Sequence, residues 1–128
     1  MLDTGIKGRQ ETVVNNANTA KALGSGELEV FATPAMIALI EETAWKSVAD
    51  ELSEGEGTVG TKLEVTHISA TPIGAKVWCE TELVSVDRRR LIFLASVYDE
   101  NGKIGDGTHE RFIINNEKFM DKAINKFH

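Results

Sequence analysis

The chain has 128 residues, 41% of them hydrophobic and 27% charged, with 20 acidic against 14 basic side chains and a formal net charge of −6. A chain of this size buries roughly two thirds of the surface its unfolded form exposes, so residues 1–128 are expected to fold as one domain without a staple. The acidic balance argues against nucleic acid as the main partner, and no stretch nears the ~20 apolar residues of a membrane span, which leaves a small-molecule binder or an enzyme.

The first ten residues are polar and lack the apolar core of a signal peptide. Cys79 is the one cysteine, so no intrachain disulfide can form and a reducing, cytoplasmic home is expected. A lone strand cysteine is read as a small hydrophobe rather than a nucleophile. A short strand is expected over 9–14. The stretch from Asn15 to Glu29 is rich in Asn, Ala and Gly and has no strong period. A loop of that length is either a cover over a site or a connector.

The only long helical pattern begins at Thr33-Pro34, where a threonine can cap the first turn and a proline loses nothing by lacking an N–H. At 100° per residue, Met36, Ile37, Ile40, Ala44, Val48 and Leu52 share one apolar face, and Gly55 and Gly57 stop the helix just after 52–54. Glu42 points away from that face beside Lys46, one turn on. Glu41 falls inside it. A carboxylate driven inward needs a partner, a cleft or a changed pKa; the bland alternative is that its end reaches out from the rim.

Beyond Thr58 the period changes to two, with Val59, Thr61, Leu63, Val65 and His67 on one face and Gly60, Lys62, Glu64 and Thr66 on the other. Thr71-Pro72-Ile73-Gly74 is a turn, 75–87 a second strand, and Arg88-Arg89 a turn into 90–99, whose Leu91-Ile92-Phe93-Leu94-Ala95 is apolar on both faces and hence central. Asn101-Gly102 signals a hairpin into 103–115, and 116–128 is a charged helix or tail. One long helix against about five antiparallel strands is an α+β two-layer arrangement, and the order points to a hot dog fold. The sheet edge left open by such a fold invites pairing with a second copy.

Several candidate features have plainer explanations. Gly55-Glu56-Gly57-Thr58-Val59-Gly60 spells G-x-G-x-x-G, but it follows a helix and opens a strand, the reverse of a dinucleotide site, so it is assigned to a loop. Arg88-Arg89-Arg90 could grip a phosphate, although a solvated hairpin explains it better. His67 faces the helix from the sheet, as either a satisfied core residue or a catalyst. His109 and His128 lack ligand spacing, and no metal is expected. Arg111 is a candidate for pairing with an acid inside the fold or for an anionic ligand.

Val30-Phe31-Ala32-Thr33, Glu41, Glu54-Gly55-Glu56-Gly57 through Gly60-Thr61, Val65-Thr66-His67 with Ala70-Thr71-Pro72, Gly107-Thr108-His109-Glu110-Arg111 and Glu117-Lys118-Phe119 stand in one order without large gaps. In these motifs the chain resembles the fluoroacetyl-CoA thioesterase family of hot dog proteins. The resemblance implies an acyl-CoA thioester hydrolase with Thr33, Glu41 and His67 as its catalytic set and Gly60 lining the thioester site; Arg111, as a candidate for an anionic ligand, is expected to join Gly60 in binding the substrate. The resemblance also implies no cofactor beyond the CoA carried by the substrate. A hot dog hydratase or dehydratase, or a non-catalytic acyl-CoA binding module, are the alternatives. Where the fluoroacetyl-specific member has phenylalanines in a lid ahead of the helix, this chain has Lys21-Ala22-Leu23-Gly24-Ser25-Gly26-Glu27, so a different acyl group is expected.

Eight helical residues span about 12 Å, too far for Thr33 and Glu41 of one chain to touch. A homodimer is therefore expected, with Thr33 from one protomer and Glu41 from the other completing each site. Glu41 would act as general base on water or attack directly, His67 would polarise the carbonyl or carry the proton, and Thr33 would position the nucleophile.

Overall fold

The computed structural model describes residues 2–128. In chain order it contains β1 (Lys7–Val13), α1 (Ala20–Leu23), α2 (Thr33–Val48), a 3₁₀ turn (Ala49–Glu51), β2 (Glu56–His67), β3 (Lys76–Asp87), β4 (Arg90–Asp99), β5 (Gly102–Asn115) and α3 (Asn116–Asn125). The five strands form one antiparallel sheet in the order β1-β3-β4-β5-β2. Chain neighbours β1 and β2 thus lie at opposite edges, and α2, which joins them, is held in the curve of the sheet. This is the expected hot dog arrangement.

The hairpins follow from turn chemistry. Asp87 pairs with Arg90 across a two-residue loop in which Arg88 takes a positive φ of 58°. Asp99 pairs with Gly102 across the next loop, and its carboxylate accepts from the Asn101 N–H at 2.8 Å. The Asn15–Glu29 stretch is neither bare loop nor free cover. Thr19 caps the single turn of α1, and Ala20 and Lys21 N–H groups bond to Val30 and Leu28 carbonyls at 2.8 and 3.0 Å.

Three details depart from expectation, and each bears on the site. First, Thr33 is not the cap of α2. Ala32 holds that position without a side-chain bond, so Thr33 is the first helical residue and its hydroxyl is free for other work. The helix also runs into the 3₁₀ turn rather than ending at a glycine, and Gly55, at φ 83°, begins β2's approach.

Second, the buried face of α2 is Met36, Leu39, Ile40, Thr43, Ala44 and Val48, while Ile37 and Leu52 are only half-buried. The helix lies against β1 and β3, which turns Leu39 and Thr43 inward. Hydrophobicity alone hides this, because Thr43 satisfies its hydroxyl within the helix by donating to the Leu39 carbonyl at 2.7 Å. Glu41 consequently stands on the rim of the face and not inside it.

Third, β2 carries a bulge: Gly60 pairs with Arg111 and Lys62 with Glu110, leaving Thr61 extra. A bulge inverts the alternation of a strand. Thr58 and Gly60 therefore face the helix together with Leu63, Val65 and His67, although simple alternation puts Gly60 on the opposite face.

The core has two parts. Phe31, Met36, Leu39 and Ile40 pack with Val77, Cys79, Val97 and Ile104 around the first half of α2, and Ala44 and Val48 pack with Leu83, Leu91, Phe93 and Ile113 around the second. Among the described residues no helix is long and apolar enough to cross a membrane.

Candidate active site

Two polar clusters flank α2. The first is at its start. Thr33 Oγ1 shares a hydrogen bond of 2.8 Å with Nδ1 of His67, which ends β2. Phe31 meets the imidazole edge-on with centroids 6.5 Å apart. His67 Nε2 is shielded from solvent and has no hydrogen-bond partner among the described residues. Burial lowers the pKa of His67, and a bond with the Ser69 backbone opposes that shift in part. A half-buried imidazole kept neutral in this way can accept a proton at neutral pH. The pair opens on a cleft of about 260 Å³ whose further walls include Ala20, Ser25 and Val30 from the α1 segment.

The second cluster lies about two turns further along α2. Glu41, its side chain 39% exposed, places Oε2 3.5 Å from Arg111 Nη1, whose side chain is 7% exposed. The guanidinium is gripped from β2: Nε donates to Thr58 Oγ1 at 2.8 Å and Nη2 to the Thr58 carbonyl at 2.9 Å. Nη1 also lies 3.1 Å from Nε2 of His109, which is fully buried on β5 and reaches the Lys62 carbonyl through Nδ1 at 2.9 Å. Gly60 sits beneath the group. A Cβ there would stand 2.6 Å from Glu41 Oε2 and 3.2 Å from both Arg111 Nη1 and His109 Cε1. The bare backbone makes room for the carboxylate, and any side chain would push it aside because it is the most yielding of the three neighbours. Burial lowers the Arg111 pKa, and the charge of Glu41 raises it.

Of the residues singled out in the sequence, Thr33 and His67 come together in one chain, and so do Glu41, Gly60 and Arg111. The structure does not bring the two groups together within one chain. Thr58 and His109 were missed. His109 is two residues from Arg111 on the same strand, so alternation alone puts both on one inward face, a signal that metal-ligand spacing does not carry. The outward neighbour, Glu110, accepts from Arg90 at 2.6 Å and from Thr61 at 2.9 Å. A groove of about 710 Å³ runs along the outer side of α2 past Pro34, Ala38, Glu41 and Trp45 to Arg111.

The plainer readings fare well elsewhere. Glu42 pairs with Lys46 at 3.2 Å and also takes a bond from Gln10. The arginine hairpin is occupied by acids: Arg88 with Asp87 at 3.3 Å, Arg89 with Glu56 at 3.5 Å and Arg90 with Glu110. The glycine motif lies mostly within β2, Gly55 alone being in the preceding turn. Burial pushes the Cys79 thiol up to about 11, which leaves it a poor nucleophile at neutral pH. Among the described residues no three His, Cys, Asp or Glu side chains gather as a metal site.

Residues 14–117 match the family described as fluoroacetyl-CoA-specific thioesterase. The fluoroacetyl-CoA thioesterase of Streptantibioticus cattleyicolor is 46% identical over 98 residues, covering 77% of this chain and 70% of that protein. A solved structure of a fluoroacetyl-CoA thioesterase superposes with a TM-score of 0.92 at 38% identity over 98% of both chains. A thioesterase superfamily member from Thermus thermophilus superposes at 0.89 with 25% identity, over 99% of this chain and 93% of that one. With the fold and these relatives in agreement, the chain belongs to the fluoroacetyl-CoA-specific thioesterase family and is an acyl-CoA thioesterase of the hot dog fold.

Proposed function

We propose that the protein hydrolyses an acyl-CoA other than fluoroacetyl-CoA, as a cytosolic homodimer, with Thr33, Glu41 and His67 as catalytic groups and Gly60 and Arg111 at the thioester. The observation that carries this is the division of the site. Thr33 and His67 form one hydrogen-bonded pair at a cleft, and Glu41 is held apart from them over Gly60 by a buried arginine. Two half-sites on one helix call for a second copy that brings one protomer's Glu41 to the other's Thr33 and His67. The unpaired outer edge of β2 is a natural seam for that copy.

In this assembly Glu41 either takes a proton from water, which adds to the thioester carbonyl carbon, or adds to that carbon itself. Both routes give a tetrahedral oxyanion. N–H groups of the uncapped first turn of α2 and of the Gly60 bulge are the donors proposed for it. The C–S bond then breaks and the CoA thiolate leaves with a proton relayed through His67. On the second route, water hydrolyses the resulting anhydride and restores Glu41. Thr33 orients the nucleophile and the imidazole. The sum is one water consumed per carboxylic acid and free thiol released, with no cofactor beyond the substrate's own CoA.

The acyl group is proposed to differ because the α1 segment lines the cleft with Ala20 and Ser25, and its Lys21–Glu27 stretch has no aromatic residue. A cytosolic setting suits a lone, buried, reduced cysteine. The deciding experiment is thiol release by the purified chain across short, branched and aromatic acyl-CoAs with fluoroacetyl-CoA alongside. Turnover of another acyl-CoA above fluoroacetyl-CoA is expected. A preference for fluoroacetyl-CoA would overturn the specificity, and a monomer in solution with full activity would overturn the shared site.

A further inference from the structure

His109 has no part in the catalysis just proposed, yet its two ring nitrogens are both spoken for. Arginine can only donate, so the Nη1 of Arg111 at 3.1 Å forces His109 Nε2 to be a bare acceptor. A backbone carbonyl can only accept, so the Lys62 oxygen at 2.9 Å forces Nδ1 to carry the hydrogen. The two requirements are met together by one neutral tautomer and by no other protonation state. The ring is also clamped by Phe93, whose plane lies 30° from it at a centroid distance of 6.3 Å.

From this geometry we infer that His109, as the Nδ1–H tautomer, is a positioning residue for Glu41 and acts through Arg111. The deduction about function rests on the catalytic role proposed above for Glu41; the deduction about the tautomer does not. The chain of contact is short. Thr58 takes the Nε and one Nη2 hydrogen, and His109 takes one Nη1 hydrogen. The guanidinium plane is then fixed, and the second Nη1 hydrogen can point only toward Glu41 Oε2. An arginine held by Thr58 alone would lose the contact that fixes its Nη1 end beside the carboxylate. The charged groups acting on the ring are Arg111 from its own strand, Glu41 from α2 and Glu110 on the far side of β5. A protonated ring would set an N–H against the Arg111 N–H and break the alignment; burial, which lowers the pKa of His109, opposes this.

Two measurements test the inference. In the full chain labelled with ¹⁵N-histidine, the ring couplings of His109 should report a hydrogen on Nδ1 and a bare Nε2. A hydrogen on Nε2, or a rapidly averaging ring, would overturn the inference whatever the enzyme's activity. The second compares H109Q, which keeps an acceptor where Nε2 stands, with H109N, which keeps a donor to Lys62 but offers Arg111 nothing. H109Q is expected to stay close to the wild-type rate, and H109N to lose roughly tenfold or more in kcat with KM little changed. Equal losses in both variants, in step with lowered Tm, would mean His109 only fills space and would overturn the positioning role. Wild-type protein without any thiol release would instead overturn the catalytic role of Glu41, and the ring couplings would still decide the tautomer.

Discussion

At the start of α2, Thr33 and His67 meet on an open rim with a single hydrogen bond between them, and Thr33 supports no part of the helix. Two turns on, Glu41 rests on a buried lattice of Arg111, His109 and Thr58 in which almost every donor has an acceptor. The first arrangement leaves its groups free to meet a substrate and contributes little to stability. The second ties the carboxylate proposed as catalytic to the packing of three elements, so replacing the residues that hold Glu41 should cost stability and function together, whereas at the other end the two should fail separately.

The sharpest way to break that contrast is Glu41→Gln. It keeps the shape and the Arg111 contact, so the fold should survive while thiol release falls by about 10²–10⁴-fold. Undiminished hydrolysis would remove Glu41 from the mechanism. Arg111→Met comes next. It orphans His109 Nε2 and the Thr58 acceptors inside the sheet, and should lower unfolding stability by about 1–3 kcal/mol in denaturant titration. Glu41, partly exposed, can hydrate and should add little to that loss.

A smaller effect comes from pH. Burial holds both His67 and His109 below the ordinary imidazole value of 6.5, so the unfolded chain binds more protons in that range. Their contribution to stability is complete above about pH 6.5 and is lost as pH falls toward the folded-state values. Tm measured from pH 7.5 to pH 5 should decline, and H109Q should flatten part of the slope. Thr33→Val should change stability least, within about 0.5 kcal/mol, because its hydroxyl caps nothing. Its thiol release should still fall. A stability loss well beyond that would mean the open end of the site is as structural as the closed one.

Much of this was legible in the sequence where a single residue type carries the signal. Pro34 marked the helix start to within a residue, the turn residues placed the hairpins, and Glu41 and His67 stood out as polar groups in apolar patterns. What was not legible depends on the register between strands. The bulge at Thr61 comes from how β2 pairs with β5, and without it Gly60 could not be assigned to the face of Glu41. Thr43 was left off the apolar face although it is buried, because its bond to Leu39 is internal to the helix. His109 was weighed only as a metal ligand because its meaning lies in Arg111, and only the fold shows that both donate to acceptors on β2.

The bulge has one more consequence. It interrupts an outer strand, so β2 offers incoming backbone two short regular runs, Glu56–Gly60 and Lys62–His67, in place of one continuous template. Its outward-turned Lys62, Glu64 and Thr66 are exposed. A short, charged, broken ribbon of this sort resists the indefinite stacking that turns bare sheet borders into fibres. The same irregularity that seats a carboxylate therefore also guards the solubility of the protein.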